Sequence, residues 1–127
     1  MIIYSAKIPL NPRTKKNDLK IITNKKTKKP LIVQGDKYLQ YEKEAGWFLR
    51  KPPVSISQPV NIKCLFYREN EIRCDLTNLL EAIDDILVKY KIIADDSFKI
   101  IKGHDGSRVF IDRNNPRTEI YIETFEV

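Results

Sequence analysis

Eight carboxylates crowd the stretch from Glu69 to Asp96, against three bases, Arg73, Lys89 and Lys91. Carboxylates brought within a few ångströms repel, and one takes up a proton unless a cation is shared. A hard divalent ion such as Mg²⁺ or Mn²⁺ accepts oxygen ligands and removes that cost. Such an ion polarises a phosphodiester and activates a water, the chemistry of many nucleases. The spacing supports a common site. Asp75 stands where a strand-like segment meets a helix. Glu81 and Asp85 share a polar stripe of that helix with Asn78. Asp95 and Asp96 follow the return from it. Taken singly, each has a plainer reading. Asp75, Thr77 or Asn78 can cap a helix, Asp84 and Asp85 can be solvated helix positions, and Asp95-Asp96 can be a turn.

Other chemistries lack their residues. There is no Gly-rich phosphate loop, no G-x-S-x-G and no C-x-x-C pair. The one histidine, His104, cannot build a histidine zinc site alone and reads as an ordinary surface or strand-end residue. No base stands beside a candidate Ser or Cys, so covalent catalysis has no support. Cys64 and Cys74 read as reduced thiols of a cytosolic protein, with Cys64 a small core residue of a strand.

The formal charge is +6 and unevenly spread. Residues 1–51 hold 13 basic and 4 acidic side chains, and residues 52–127 hold 10 basic and 13 acidic. Between Arg13 and Lys29 there are eight bases and one acid, Asp18. Charges this dense repel unless a polyanion screens them. Arg13, Lys15, Lys16, Lys25, Lys26, Lys28 and Lys29 are therefore the candidate contacts to a DNA backbone. Such contacts carry no base sequence, which suits recognition of shape.

The chain has 127 residues, 42% of them hydrophobic, which suits one domain over residues 1–127. No apolar run approaches the roughly 20 residues of a membrane span, and Met1-Ile2-Ile3-Tyr4 does not open a secretory leader. Alternation predicts a strand over 2–8. Ile21-Ile22-Thr23 and Leu31-Ile32-Val33 read as the arms of a hairpin with a lysine-rich tip over 24–30. The spacing of Tyr38, Tyr41, Ala45, Phe48 and Leu49 predicts a helix over 36–50, stopped by Pro52-Pro53. A strand follows over 60–67. Leu79, Leu80, Ile83, Ile86, Leu87 and Tyr90 form the apolar stripe of a second helix over 77–90. Strands over 98–102 and 119–125 complete an α/β (α+β) domain, a mixed sheet with two main helices packed on it.

The order of residues resembles a known family. Arg73-Cys74-Asp75-Leu76-Thr77-Asn78-Leu79, then Glu81-Ala82-Ile83, Asp85-Ile86-Leu87 and Ile93-Ala94-Asp95-Asp96 are similar to the signature of RusA-type Holliday-junction resolvases. That signature runs roughly D-L-D-N-L-x-K-A-x-x-D-A-L, a spacer, then a D-D pair. The closing Asp112 to Ile120 looks like the family's final strand entry, and Pro9 to Asn17 like its basic loop. The resemblance implies a homodimeric, Mg²⁺-dependent endonuclease acting on four-way DNA junctions in recombination and repair. It also implies a cytoplasmic setting, often phage- or prophage-encoded. By position it implies Asp75 as the first metal carboxylate, Asn78 as support for the helix start, Asp85 as the helix aspartate, Asp96 as a catalytic carboxylate and Asp95 as its helper at the metal. Thr77 stands where the family has its second aspartate, and Glu81 where it has a lysine. Positions 77 and 81 lie one helical turn apart, so Glu81 can supply the oxygen that Thr77 lacks. Lys99 or Lys102 would then supply the missing cation. The alternative is a catalytically silent module that binds junctions. A third is a small protein whose lysine-rich tip meets an acidic protein.

Overall fold

The computed structural model describes residues 1–16 and 18–126. The strands are β1 (Ile2–Ile8), β2 (Leu19–Thr23), β3 (Pro30–Gln34), β4 (Val60–Arg68), β5 (Ile101–Gly103), β6 (Arg108–Ile111) and β7 (Arg117–Thr124). The helices are α1 (Asp36–Ala45) and α2 (Leu76–Lys89), and a single 3-10 turn, Gly46–Phe48, follows α1. The main sheet has the order β1-β7-β4, with β5 and β6 sharing the outer edge of β4. β7 runs antiparallel to both neighbours, and β5 and β6 run parallel to β4, so the sheet is mixed. β2 and β3 form a separate antiparallel hairpin. The fold is α+β, a mixed sheet with two helices.

Alternation places the core. Tyr4 and Ile8 of β1, Ile62, Cys64 and Phe66 of β4, and Ile120 and Ile122 of β7 are buried on one face. They join Leu79, Ile83, Ile86 and Leu87 of α2 and Tyr38, Tyr41 and Ala45 of α1 in one cluster. Their neighbours Lys63, Tyr67, Glu119 and Tyr121 stay half-exposed on the other face. A sheet with one covered face produces this pattern. Burial of the Cys64 thiol pushes its pKa well above the ordinary range, so it acts as a core hydrophobe.

Helix α1 ends at Ala45, earlier than the period over 36–50 predicts. At Gly46 the helix passes into the 3-10 turn, and the Tyr90 ring packs there so closely that a Cβ would lie 2.5 Å from it. Its start is held from outside, because the Asp18 carboxylate accepts the Tyr38 N–H. A Cβ at Gly35 would collide with that same carboxylate. The stretch predicted as a strand over 98–102 is a turn as far as Ile100, and β5 begins only at Ile101. Strand β6 was not legible, since all four of its residues are exposed and carry no alternation.

Two devices position the acidic segment. The first ends α2. Ile92 N–H donates to Leu87 O at 2.9 Å and Lys91 N–H donates to Val88 O at 3.0 Å. Lys91 takes φ +61°. This is a Schellman closure with lysine where glycine is usual. It turns Ile92 and Ile93 into the core, where Ile56 N–H donates to Ile92 O and Ala94 N–H to Ile56 O, both at 2.9 Å. Asp95 and Asp96 follow directly. The second device interrupts the edge between β5 and β6. The Cys64 N–H donates to Ser107 Oγ at 3.0 Å. Asn61 clamps Asp105 by two hydrogen bonds to its backbone, at 2.8 and 3.1 Å. Gly106, at φ +86°, makes the turn. The bulge so formed carries His104.

Candidate active site

Thr77, Leu80, Glu81, Asp84, Asp96 and His104 line one cavity of about 260 Å³. Four of them come from α2, where positions 77, 80/81 and 84 share a face. Asp96 comes from the turn after the Schellman closure, and His104 from the edge bulge. Segments far apart in sequence thus border one cavity.

His104 Nε2 lies 2.9 and 3.0 Å from the two Asp84 carboxylate oxygens. The Asp84 side chain is 13% exposed and that of His104 25%. Burial raises the Asp84 carboxyl above the ordinary aspartate range. The hydrogen bond and charge of His104 oppose that rise, and the charges of Asp96 and Asp85 add to it.

The remaining residues singled out in the sequence fall as follows. Glu81 and Asp96 line the cavity. Asp75 is the exposed N-cap of α2, its carbonyl accepting the Asn78 and Leu79 N–H groups at 3.1 and 3.2 Å, and it does not line the cavity. Asp85 points away, about 100° around the helix from Asp84, and is ion-paired with Lys15. The stripe of Asn78, Glu81 and Asp85 is therefore split by the neighbours it meets. Asp95 is exposed, and hydrogen bonding from Ser97 lowers its carboxyl below the ordinary range, so it serves the turn. Lys99 is exposed, and Lys102 Nζ sits 5.4 Å from the Phe98 ring centroid, so neither lines the cavity. The sequence reading missed Asp84 and His104. The spacing from Glu81 gives no signal for the first, because Asp84 at i+3 and Asp85 at i+4 both neighbour it on the helix. His104 depends on an edge bulge that no local pattern announces.

Glu81, Asp84 and Asp96 each bring a carboxylate to the lining of the cavity, the oxygen type that a hard cation takes. Asp84 is already held by His104, whereas Glu81 and Asp96 have no ion pair among the described residues. Magnesium keeps several waters and commonly takes one or two protein carboxylates. Among the described residues, no group of three or more His, Cys, Asp or Glu side chains is arranged to hold a metal ion.

The basic residues divide into two regions. Lys25, Lys26, Lys28 and Lys29 are exposed at the hairpin tip, where the Asn24 side chain accepts the Lys26 and Thr27 N–H groups at 2.9 and 3.2 Å. Lys16 is exposed, and Lys15 is committed to Asp85. Arg13 lines two adjoining clefts beside α1. Asn17, the last residue of the basic loop, lies outside the described residues. Among the described residues, no helix is long and apolar enough to cross a membrane.

Compared with known families and with curated proteins, the chain matches no family model and no curated sequence.

Proposed function

We propose that this protein is a divalent-metal-dependent endonuclease of branched DNA, resembling the RusA-type junction resolvases, and that it works as a homodimer. One observation carries the reading. Glu81, midway along the acidic stretch, and Asp96, at its end, line the same cavity together with Asp84. A bound divalent ion supplies Lewis-acid polarisation of the phosphodiester. Glu81 and Asp96 would hold that ion. Asp84, oriented by His104, accepts a hydrogen bond at the cavity wall. The exposed hairpin lysines hold the backbone of the DNA, and two copies related by a two-fold axis cut opposing strands symmetrically.

The test is Glu81→Gln. Cleavage of a labelled four-way junction in Mg²⁺ should be abolished while gel retardation of the junction persists. Cleavage at the wild-type level would remove Glu81 from the site.

A second reading, a junction-binding module without cleavage, is supported by the two carboxylates already engaged, Asp85 with Lys15 and Asp84 with His104. Retardation with no nicking by the wild-type protein at any Mg²⁺ or Mn²⁺ concentration would favour it.

A further inference from the structure

A cleft of about 420 Å³ opens between the loop after β1 and the loop joining β4 to α2. Three cations line it, Arg13 from the first loop, Lys37 from the first turn of α1 and Arg68 from the end of β4. None has an ion pair among the described residues. Two acids also line it, Asp18 and Glu69. The Asp18 carboxylate is engaged at the start of α1, where it accepts the Tyr38 N–H. The two loops are fixed to one another, because the Glu69 N–H donates to Asn11 Oδ1 at 3.0 Å.

Arg68 carries the strongest signal. One of its terminal nitrogens donates to the Ile72 carbonyl. Its Nε is buried and meets no acceptor among the described residues. A desolvated guanidinium donor left without an acceptor is costly; closed to water as it stands, this Nε meets a ligand oxygen only when the guanidinium turns toward the cleft, and that turn relieves the cost. The fork of a guanidinium matches the paired oxygens of a phosphate.

We propose that this cleft holds one phosphodiester of a nucleic-acid strand through Arg13, Lys37 and Arg68. The proposal rests on the nucleic-acid reading above and names the part of the strand that is held. Its position fits that role. Cys74 lines the cleft and Thr77 lines the carboxylate cavity, so the short segment joining them connects the two at the start of α2. A strand gripped in the cleft is thereby led toward Glu81 and Asp96. The hairpin tip then supplies distant contacts, and the cleft supplies the one that sets register.

The experiment follows the Arg13 and Arg68 Nε–H signals of the full chain by proton–nitrogen NMR, with no metal present. The probes are thymidylyl-thymidine, which carries a single phosphodiester, and inorganic phosphate. The Arg68 signal should shift saturably with the dinucleotide. Lys37→Gln, a change at an exposed helix position, should weaken that binding about tenfold, as expected when one charge-assisted hydrogen bond is removed. A shift with inorganic phosphate alone would assign the cleft to free or terminal phosphate and overturn the diester assignment. No shift with either probe would overturn the site. An equal response in Lys37→Gln would overturn the three-cation arrangement. Because no metal and no cleavage enter this measurement, failure of the nuclease reading would leave its outcome separate.

Discussion

His104 Nε2 meets both carboxylate oxygens of Asp84 at 2.9 to 3.0 Å, across twenty residues of chain and between an edge bulge and a helix. This pairing fixes the wall of the acidic cavity, and removing the imidazole leaves a largely buried carboxylate without its partner. His104→Ala should therefore destabilise the fold by about 2 kcal/mol, measured by urea unfolding at neutral pH. An unchanged midpoint would mean that the pair is incidental.

The same carboxylate gives a pH dependence of defined sign. Burial, the largest cause, raises Asp84 above its ordinary range. The folded state therefore favours the protonated form. The corresponding stability is fully present below the unfolded pKa, about 3.9, and is lost as pH rises through the folded value. Relative to Asp84→Asn, the wild type should lose stability as pH is raised from 3 toward neutrality. A relative gain over that range would contradict the sign.

Glu119 should behave in the opposite sense. Hydrogen bonding from Arg117, 2.8 Å away, is the main cause that holds its carboxyl below the ordinary glutamate range. Its stabilisation is present above the unfolded pKa, about 4.3, and is lost as pH falls through the folded value. The side chain is 22% exposed, so Glu119→Gln should cost only about 0.5–1 kcal/mol at pH 6. The difference should vanish near pH 2. A difference that persists there would point to packing instead.

Lys91 sits at φ +61° where the Schellman closure of α2 favours glycine. Lys91→Gly should raise stability by about 0.5–1 kcal/mol, the relief of left-handed strain offset by greater unfolded-state freedom. Lys91→Val should lower it. The two thermal midpoints measure this directly, and the reverse order would contradict the assigned closure.

The hairpin lysines should act on binding alone. Replacing Lys25, Lys26, Lys28 and Lys29 by Gln should flatten the log–log dependence of junction affinity on salt by about 0.9 for each phosphate that the protein no longer neutralises. The thermal midpoint should stay the same, since all four are exposed. An unchanged slope would place the DNA surface elsewhere.

The elements that follow one period were legible. Leu79, Ile83, Ile86 and Leu87 announced α2, and alternation announced β4 and the core role of Cys64, because burial on one face leaves a repeating trace. Features fixed by distant segments packing together left no such trace. The close packing of the Tyr90 ring on Gly46, where α1 gives way to a 3-10 turn, is one such feature. His104 reaches Asp84 because Ser107 and Asn61 hold an interruption in the edge of the sheet. At the candidate site, the stretch containing Glu81 and Asp96 was visible as an excess of carboxylate. Which of Asp84 and Asp85 faces the cavity was not, because adjacent helix positions differ only by rotation. Their neighbours, His104 for one and Lys15 for the other, distinguish them.

The central claim is that Glu81 and Asp96 act together on a phosphodiester. It is tested most directly by incubating a labelled four-way junction with wild-type protein and Asp96→Asn, each in Mg²⁺ and in EDTA. The account predicts symmetric nicks from the wild type in Mg²⁺ alone and none from Asp96→Asn, with the junction still bound by both. Nicking by Asp96→Asn at the wild-type rate, or nicking by the wild type that persists in EDTA, would contradict it.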